Sequence, residues 1–429
     1  MSRWRRVGLT LALGALGVFA LRAFVGDVYA VRSGSMEPGL HGGQDGEWVL
    51  VRFGLGRDPK RFDLVVFERP GEPAPIVKRV LGLPGESLQL VEGDLWIDGR
   101  RLPPEVPRPP WVLLFDSDRQ ALSAWFDYKP EPFGPWRRGW APPGDGLPPP
   151  PPPPAGPGES WRLEALGLLP GDNTGLMFFD QEASTGYLDG SGRSVAQPIE
   201  ASDLALEVSV CVVMLARRGE LRLRLLEKGD FFQARLCLNA EGPVEVLIER
   251  EPGAEGQLAD LLARAELPRE TFGPLPSLPD PTGVGAPELS GPPLGPWVRL
   301  TFENRDDHLR LSLDGRELLG ADYDQNRPYP GILPPGRQSV GPRAAFGGAG
   351  LQAAFRGVRL WRDAQWLSSS VHGPHGSASR LTLGPDEFFV AGDNSFDSTD
   401  SRYFGPIPRR SLLGRPLAVC WPPSRWRWL

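Results

Sequence analysis

The chain has little of what most metal, redox and histidine-based chemistry needs. Its 429 residues include three cysteines, Cys211, Cys237 and Cys420, and four histidines, His41, His308, His372 and His375. There is no CxxC pair and no cluster of histidine with cysteine, which excludes the usual structural zinc sites. Neither a cofactor nor a metal ion is expected. Two readings of the cysteines stand: free buried thiols, or a Cys211–Cys237 pair if their strands are neighbours. Net charge is −6 and the isoelectric point about 5.5, so the overall basic footprint of a nucleic-acid binder is absent. None of the four histidines stands in a motif that would make it the base for a serine nucleophile.

Glycine (53 residues) and proline (49 residues) are plentiful. That composition favours strands, turns and linkers over long helices. The expected fold class is mainly β, with an antiparallel β-domain behind one N-terminal transmembrane helix and an inserted β-sandwich interrupting it. The expected segments are an anchor over 1–31, the two parts of the first β-domain over 32–100 and 367–429 with the tail, a Pro/Gly-rich linker over 101–160, and the sandwich over 161–366.

The anchor expectation rests on Val7–Leu21, an uncharged stretch preceded by Arg3, Arg5 and Arg6. A span needs about 20 mostly apolar residues, which requires Arg22 to snorkel to the far headgroups before Ala23-Phe24-Val25. The basic flank favours a cytoplasmic N-terminus with the body outside. A cleaved leader is the alternative, with Val28 and Ala30 at the −3 and −1 positions of the cut. In the linker, seven prolines, Pro148–Pro154, predict a polyproline II spacer.

Short strands are predicted over Trp48–Phe53, Asp63–Phe67, Pro75–Leu81, Ser87–Leu90 and Leu95–Ile97. In the third, Ile76, Lys78 and Val80 share one face, while Val77 and Arg79 point the other way, Arg79 toward solvent. Strand-like runs fill 161–366, with a short helix expected at Glu255–Ala265. Trp297–Phe302 followed by Leu309–Gly315, and the closing run from Phe355 to Trp361, resemble laminin-G-like or concanavalin-like jelly rolls. That resemblance implies a glycan or protein ligand. Asp306, Asp307, Asp322 and Asp324 are conceivable calcium ligands, but no metal-binding loop frames them. The tail carries Trp421, Trp426 and Trp428 beside Arg425 and Arg427, a mixture that suits either a membrane–water interface or a packed terminus.

A serine hydroxyl is a weak nucleophile until a base takes its proton. A buried lysine can serve, because burial lowers its pKa toward neutrality. Ser35 lies in Ser33-Gly34-Ser35-Met36-Glu37-Pro38, just after the apolar segment. Lys78 lies in Val77-Lys78-Arg79-Val80-Leu81-Gly82-Leu83-Pro84-Gly85. More than 300 residues on comes Gly392-Asp393-Asn394-Ser395-Phe396-Asp397-Ser398-Thr399-Asp400-Ser401-Arg402.

In this order, and with Phe62–Phe67 between the first two, these segments resemble the boxes of bacterial type I signal peptidases. The resemblance covers roughly 7–100 and 380–421. It implies Ser35 as nucleophile and Lys78 as general base. It implies an oxyanion hole from the Ser35 backbone N–H and the Ser33 hydroxyl. It also implies Ser398 orienting Lys78, an Asp400–Arg402 supporting pair, and Asp393 steadying the loop. The implied partners are exported preproteins with signal peptides and the lipid bilayer. The implied location is the bacterial inner (cytoplasmic) membrane, single-pass, with the catalytic body on the extracytoplasmic side. Two departures stand out. Ser395-Phe396-Asp397 replaces a frequent Arg-Asp-Asn, removing a basic residue, and Gly39 replaces the usual threonine.

Overall fold

In a computed structural model of the chain, the structure describes residues 26–54, 58–91, 93–103, 106–107, 109–121, 126–131, 161–165, 174–179, 187–188, 194–195, 203–227, 230–239, 242–251, 259–273, 296–324, 344–367, 373–377 and 379–429. The chain divides into two compact units, Met1–Pro109 with Ala364–Leu429, and Pro110–Asp363. The first is therefore discontinuous in sequence. Most of the expected anchor, residues 1–25, lies outside the described residues. Its last part, Gly26–Ala30, is a strand paired with Trp48–Phe53. Among the described residues no helix is long and apolar enough to cross a membrane.

The split unit is built on an antiparallel sheet. Its order is Gly26–Ala30, Trp48–Phe53, Leu412–Trp421, Leu64–Phe67, Ile76–Gly82, Glu387–Ala391 and Ile407–Pro408, with Arg427–Trp428 also paired to Leu412–Trp421. Segments from both ends of the chain thus alternate in one sheet. A smaller sheet holds Leu381–Thr382, Ser87–Val91, Asp94–Ile97 and Arg100–Arg101. The main sheet is covered on both faces. Val31, Met36, Leu40, Val49, Val51, Val66 and Val419 form one apolar cluster. Val65, Phe67, Val80, Phe388, Val390, Ile407 and Leu412 form another. Val65 and Val66 belong to opposite clusters, as alternation along a strand requires.

The second unit is a β-sandwich made by folding one sheet. The long strands Leu204–Glu227 and Ala344–Arg362 pair along most of their length. At the start of Leu204–Glu227, strands Val298–Arg305, His308–Leu313 and Arg316–Asp322 extend one wing. At its end, Asp230–Asn239, Val244–Glu251 and Asp260–Leu267 extend the other. Register shifts between Glu207 and Ser209, Val212 and Met214, and Leu215 and Glu220 let the long strands bend. Leu206, Phe302 and Leu309 of one wing share a core with Leu236, Val246 and Ile248 of the other.

Several local expectations change here. Val112–Asp116 and Phe126–Glu131, within the segment expected as linker, are strands of this sheet. Phe115 and Leu114 join the core, which is the physical reason an apolar Val-Leu-Leu-Phe run between prolines is drawn in. The proline tract itself lies outside the described residues. Of the expected helix Glu255–Ala265, residues 259–265 are extended, and Asp260–Leu267 pairs with Val244–Glu251. Cys211 and Cys237 are free thiols, the first buried. Asp306 and Asp307 form the left-handed turn between two strands, with φ of 55° and 64°. Asp322 Oδ1 lies 2.6 Å from His308 Nδ1, within hydrogen-bond distance.

Candidate active site

Ser35 sits in a single 3-10 turn, Gly34–Met36. The turn is fixed from inside by Met36, which is fully buried in the apolar cluster with Leu40 and Val31. The Leu40 amide donates to the Met36 carbonyl at 2.8 Å, closing the loop behind it. It is fixed from the far end of the chain by Asn394. The Asn394 side chain donates to the Gly34 carbonyl at 3.1 Å, and its backbone amide to the Ser35 carbonyl at 3.1 Å. Gly392 is a glycine for a steric reason. A Cβ there would lie 2.3 Å from both the Ser35 carbonyl oxygen and Ser398 Oγ.

Lys78 lies on Ile76–Gly82, between strands Leu64–Phe67 and Glu387–Ala391. Its register partner is Val65, and Ile76, Val65 and Val80 line the same apolar cluster. Only 2% of Lys78 is exposed. Its Nζ donates to Ser35 Oγ in a short hydrogen bond. Burial lowers its pKa from 10.5 to about 8, against the opposing pull of Asp400 and Asp393 and with a smaller push downward from Arg402. A nucleophile in contact with a base that is partly neutral near physiological pH is the arrangement acyl transfer needs. Ser33 Oγ lies 3.1 Å from Ser35 Oγ, so the second hydroxyl is beside the reacting atom.

The loop after Glu387–Ala391 surrounds this pair. Arg402 and Asp400 are both fully buried and bonded at 2.9 Å (Nε to Oδ1) and 2.8 Å (Nη2 to Oδ2). Burial would raise the Asp400 pKa. The Arg402 guanidinium, the Gly392 amide and the Ser398 hydroxyl together outweigh that and hold the carboxyl below its ordinary range. The Ser398 hydroxyl donates to Asp400 Oδ2 at 2.7 Å. Ser398 was expected to bond Lys78; among the described residues its bond goes to Asp400 instead, because that buried carboxylate is the stronger acceptor. Ser398 therefore stands behind the lysine's charged neighbour rather than on the lysine.

Asp393 takes Arg79 as partner, with bonds of 2.6 Å from both Nε and Nη2. Arg79 also donates to the Phe62 carbonyl at 2.8 Å. The expectation that Arg79 faces solvent is corrected here. Its strand is central and covered on both faces, so the residue after Lys78 is buried too and needs a counter-charge. Ser395, where a basic residue is frequent, accepts from Arg402 Nη1 at 2.8 Å through its hydroxyl and from Nη2 at 2.8 Å through its carbonyl. The departure thus serves the buried guanidinium directly. Sequence reasoning missed Arg79, Asn394 and Ser395 as supports. The signal for the first was a second basic residue on a strand too apolar to be half-exposed.

A serine hydroxyl in contact with a buried lysine of lowered pKa is a pairing that serine-based acyl transfer can use. The model of the signal peptidase family, peptidase S26, matches residues 4–125 and 363–421, close to the two halves of the split unit. In these two segments the chain is similar to that family. Among curated proteins it is similar to a probable signal peptidase I-2 of Synechocystis, 28% identical over 137 residues, 27% of this chain and 62% of that protein. It is also similar to signal peptidase I of Bacillus licheniformis, 36% identical over 86 residues, 19% of this chain and 44% of the relative. The chain thus spans less than two thirds of the length of these relatives. Among solved structures, a carbohydrate-binding module from Bacillus subtilis aligns with 44% of this chain and 86% of its own at 15% identity, with a TM-score of 0.23, too low to bear on the fold.

Proposed function

We propose that the protein is a signal peptidase, a serine endopeptidase that removes signal peptides from exported preproteins by a Ser35/Lys78 dyad. The observation that carries this reading is the Lys78 Nζ hydrogen bond to Ser35 Oγ in a buried site that depresses the lysine pKa to about 8. Neutral Lys78 takes the Ser35 proton as Oγ attacks the scissile carbonyl. The tetrahedral oxyanion is held by the Ser35 amide and the Ser33 hydroxyl, donors set in advance for charge that develops only in the transition state. The Lys78 ammonium returns its proton to the leaving amine, leaving an ester on Ser35. Lys78 then takes a proton from water, the hydroxide cleaves the ester, and the proton goes back to Ser35 Oγ.

In this reading residues 7–25 anchor the chain in the bacterial cytoplasmic membrane, with the catalytic unit on the outer side. Asp393, Asp400, Arg402 and Ser398 hold the loop around the dyad. The direct test is cleavage of a preprotein with an Ala-x-Ala site by detergent-solubilised protein, beside Ser35→Ala and Lys78→Ala. Cleavage at that site by wild type alone supports the reading. No cleavage by folded wild type sinks it.

A second reading is a processing protease with a narrow substrate set. The feature that favours it is a second unit with its own core, Pro110–Asp363, which would recognise a glycan or protein beside the cleavage site. A panel of unrelated preproteins separates the two. Broad cleavage favours the general enzyme, and cleavage of one member alone favours the narrow one.

A further inference from the structure

The last residues of the chain reach back to the nucleophile's loop. Arg427–Trp428 is a short strand on Leu412–Trp421, with Trp426 and Trp428 exposed on either side of a half-buried Arg427. The Arg427 guanidinium turns inward. It donates to Glu47 Oε1 at 2.8 Å and Oε2 at 2.9 Å, and from Nη2 to the Gly39 carbonyl at 2.6 Å. It also bonds the Arg425 carbonyl at 3.2 Å. Glu47 is completely buried. Its second carboxylate oxygen accepts the His41 amide at 3.1 Å, its own amide donates to the His41 carbonyl at 2.8 Å, and its carbonyl accepts the Val31 amide at 2.8 Å.

Apart from the Arg425 bond, these contacts fall on the segment that carries Ser35. Val31 precedes the Ser33–Ser35 turn, and Gly39 and His41 follow it. Gly39 is also the point where the loop presses on Asp393, since a Cβ there would lie 2.5 Å from Asp393 Oδ2. Asp393 is held by Arg79, the neighbour of Lys78. The loop is therefore gripped from two sides, by Gly392–Asn394 and by Arg427. A buried carboxylate needs a charged partner, and a planar guanidinium can satisfy Glu47 in two places while still reaching a carbonyl.

We propose that Arg427, with Glu47, is a positioning residue for the nucleophile: a clamp by which the C-terminal strand sets the placement of Ser35 against Lys78. The proposal rests on the peptidase reading for its kinetic consequence but not for its structural one. Arg427 is not among the leading influences on the Lys78 pKa, and its bonds to Glu47 and Gly39 are the route by which it acts on Ser35. Displacing reacting groups by about 1 Å costs on the order of 10²-fold in rate.

The test compares the full chain with its Arg427→Gln, Arg427→Lys and Arg425→Gln variants. Turnover of an Ala-x-Ala peptide and amide hydrogen exchange are both measured. In Arg427→Gln, kcat should fall by about tenfold or more with KM nearly unchanged, the pattern of a lost transition-state arrangement, and the pH midpoint should stay in place. The Leu40 and Glu47 amides should exchange faster, while the Val80 amide, bonded to the Asp63 carbonyl at 2.9 Å, keeps its protection. Arg425→Gln removes a positive charge from the same tail and should match wild type.

Arg427→Gln with wild-type kcat, or with slowed turnover but unchanged Leu40 exchange, overturns the proposal. If Arg427→Gln also loses Val80 protection, Arg427→Lys decides. It keeps the charge but cannot bridge Glu47 and Gly39 as a fork does, so it should lose turnover and Leu40 protection with Val80 intact. Wild-type behaviour there overturns the clamp. If wild type itself cleaves nothing, the signal peptidase reading fails, and the exchange data alone support or overturn the clamp.

Discussion

Replacing Lys78 by methionine should abolish turnover and make the protein more stable at neutral pH. Methionine is close to lysine in length and suits an apolar surround of Val65, Ile76 and Val80. In the folded chain burial lowers the Lys78 pKa from 10.5 to about 8. Below pH 8 both folded and unfolded chains carry the charged lysine, and the folded one bears a cost of about 3 kcal/mol for it. Between pH 8 and 10.5 the unfolded chain binds a proton that the folded chain has released, so stability rises with pH through that window. Above it the cost is gone. The variant lacks the group, so its advantage should be about 3 kcal/mol at pH 7 and about 1 kcal/mol at pH 10. Urea unfolding of both proteins at the two pH values measures this. Other groups titrate in both chains, so the change in the difference isolates Lys78. An advantage that is the same at pH 7 and pH 10, or Lys78→Met being the less stable at pH 7 by a similar amount, would refute a buried, pKa-depressed lysine.

The same pKa makes kcat/KM rise with pH through neutrality and level off near pH 8, because neutral Lys78 is the active form; a profile flat from pH 6 to 9 would contradict it. Asp400→Asn should cost about 3–5 kcal/mol in unfolding free energy by stranding the buried Arg402. It should also shift the pH–rate midpoint downward, since Asp400 is the larger of the carboxylates that raise the Lys78 pKa. Gly392→Ala should cut kcat strongly while a melting curve shows a folded protein, because its Cβ would push on the Ser35 carbonyl from 2.3 Å. Ser33→Ala should lower kcat by about 10²–10³-fold if its hydroxyl serves the oxyanion, with KM and the pH midpoint held; loss of binding alone would assign Ser33 elsewhere.

The contact between Ser35 and Lys78 was legible because each lies in an extended motif and no histidine stands in one. What the sequence left hidden was the direction of Arg79. Alternation along Ile76–Gly82 separates Lys78 from Arg79 but says nothing of what covers each face. That depends on Glu387–Ala391 and its loop, which come from the other end of the chain. The same distance hid Arg427, which meets Glu47 only after Leu412–Trp421 has entered the sheet beside Trp48–Phe53. Ser398 was placed correctly in the loop and given the wrong partner, since a short motif fixes neighbours in sequence and not rotamers. The strand at Asp260–Leu267 was read as helix because Glu, Leu and Ala favour helices in isolation. Pairing with Val244–Glu251 overrides that preference.

The loop's charges bear on how a lysine can have carboxylates around it and still keep a lowered pKa. Asp400, Asp393 and Asp397 all raise the Lys78 pKa. Unopposed, they would return it toward the value of an exposed lysine and keep it protonated. The two with the larger influence each have a guanidinium of their own: Arg402 on Asp400 and Arg79 on Asp393. Arg402 offsets part of the pull of Asp400 on Lys78, and burial remains the largest influence. The Arg79–Asp393 pair also ties the loop to the strand that carries Lys78, and Asn394 ties it to the turn that carries Ser35. One set of side chains therefore does two things: it holds Ser35 and Lys78 in contact, and it offsets part of the carboxylate charge around the lysine. On this argument Asp400→Asn with Arg402→Met should move the Lys78 titration downward less than Asp400→Asn alone. A pH–rate midpoint that moves equally in the single and double variants would mean that Arg402 offsets none of the pull of Asp400 on Lys78.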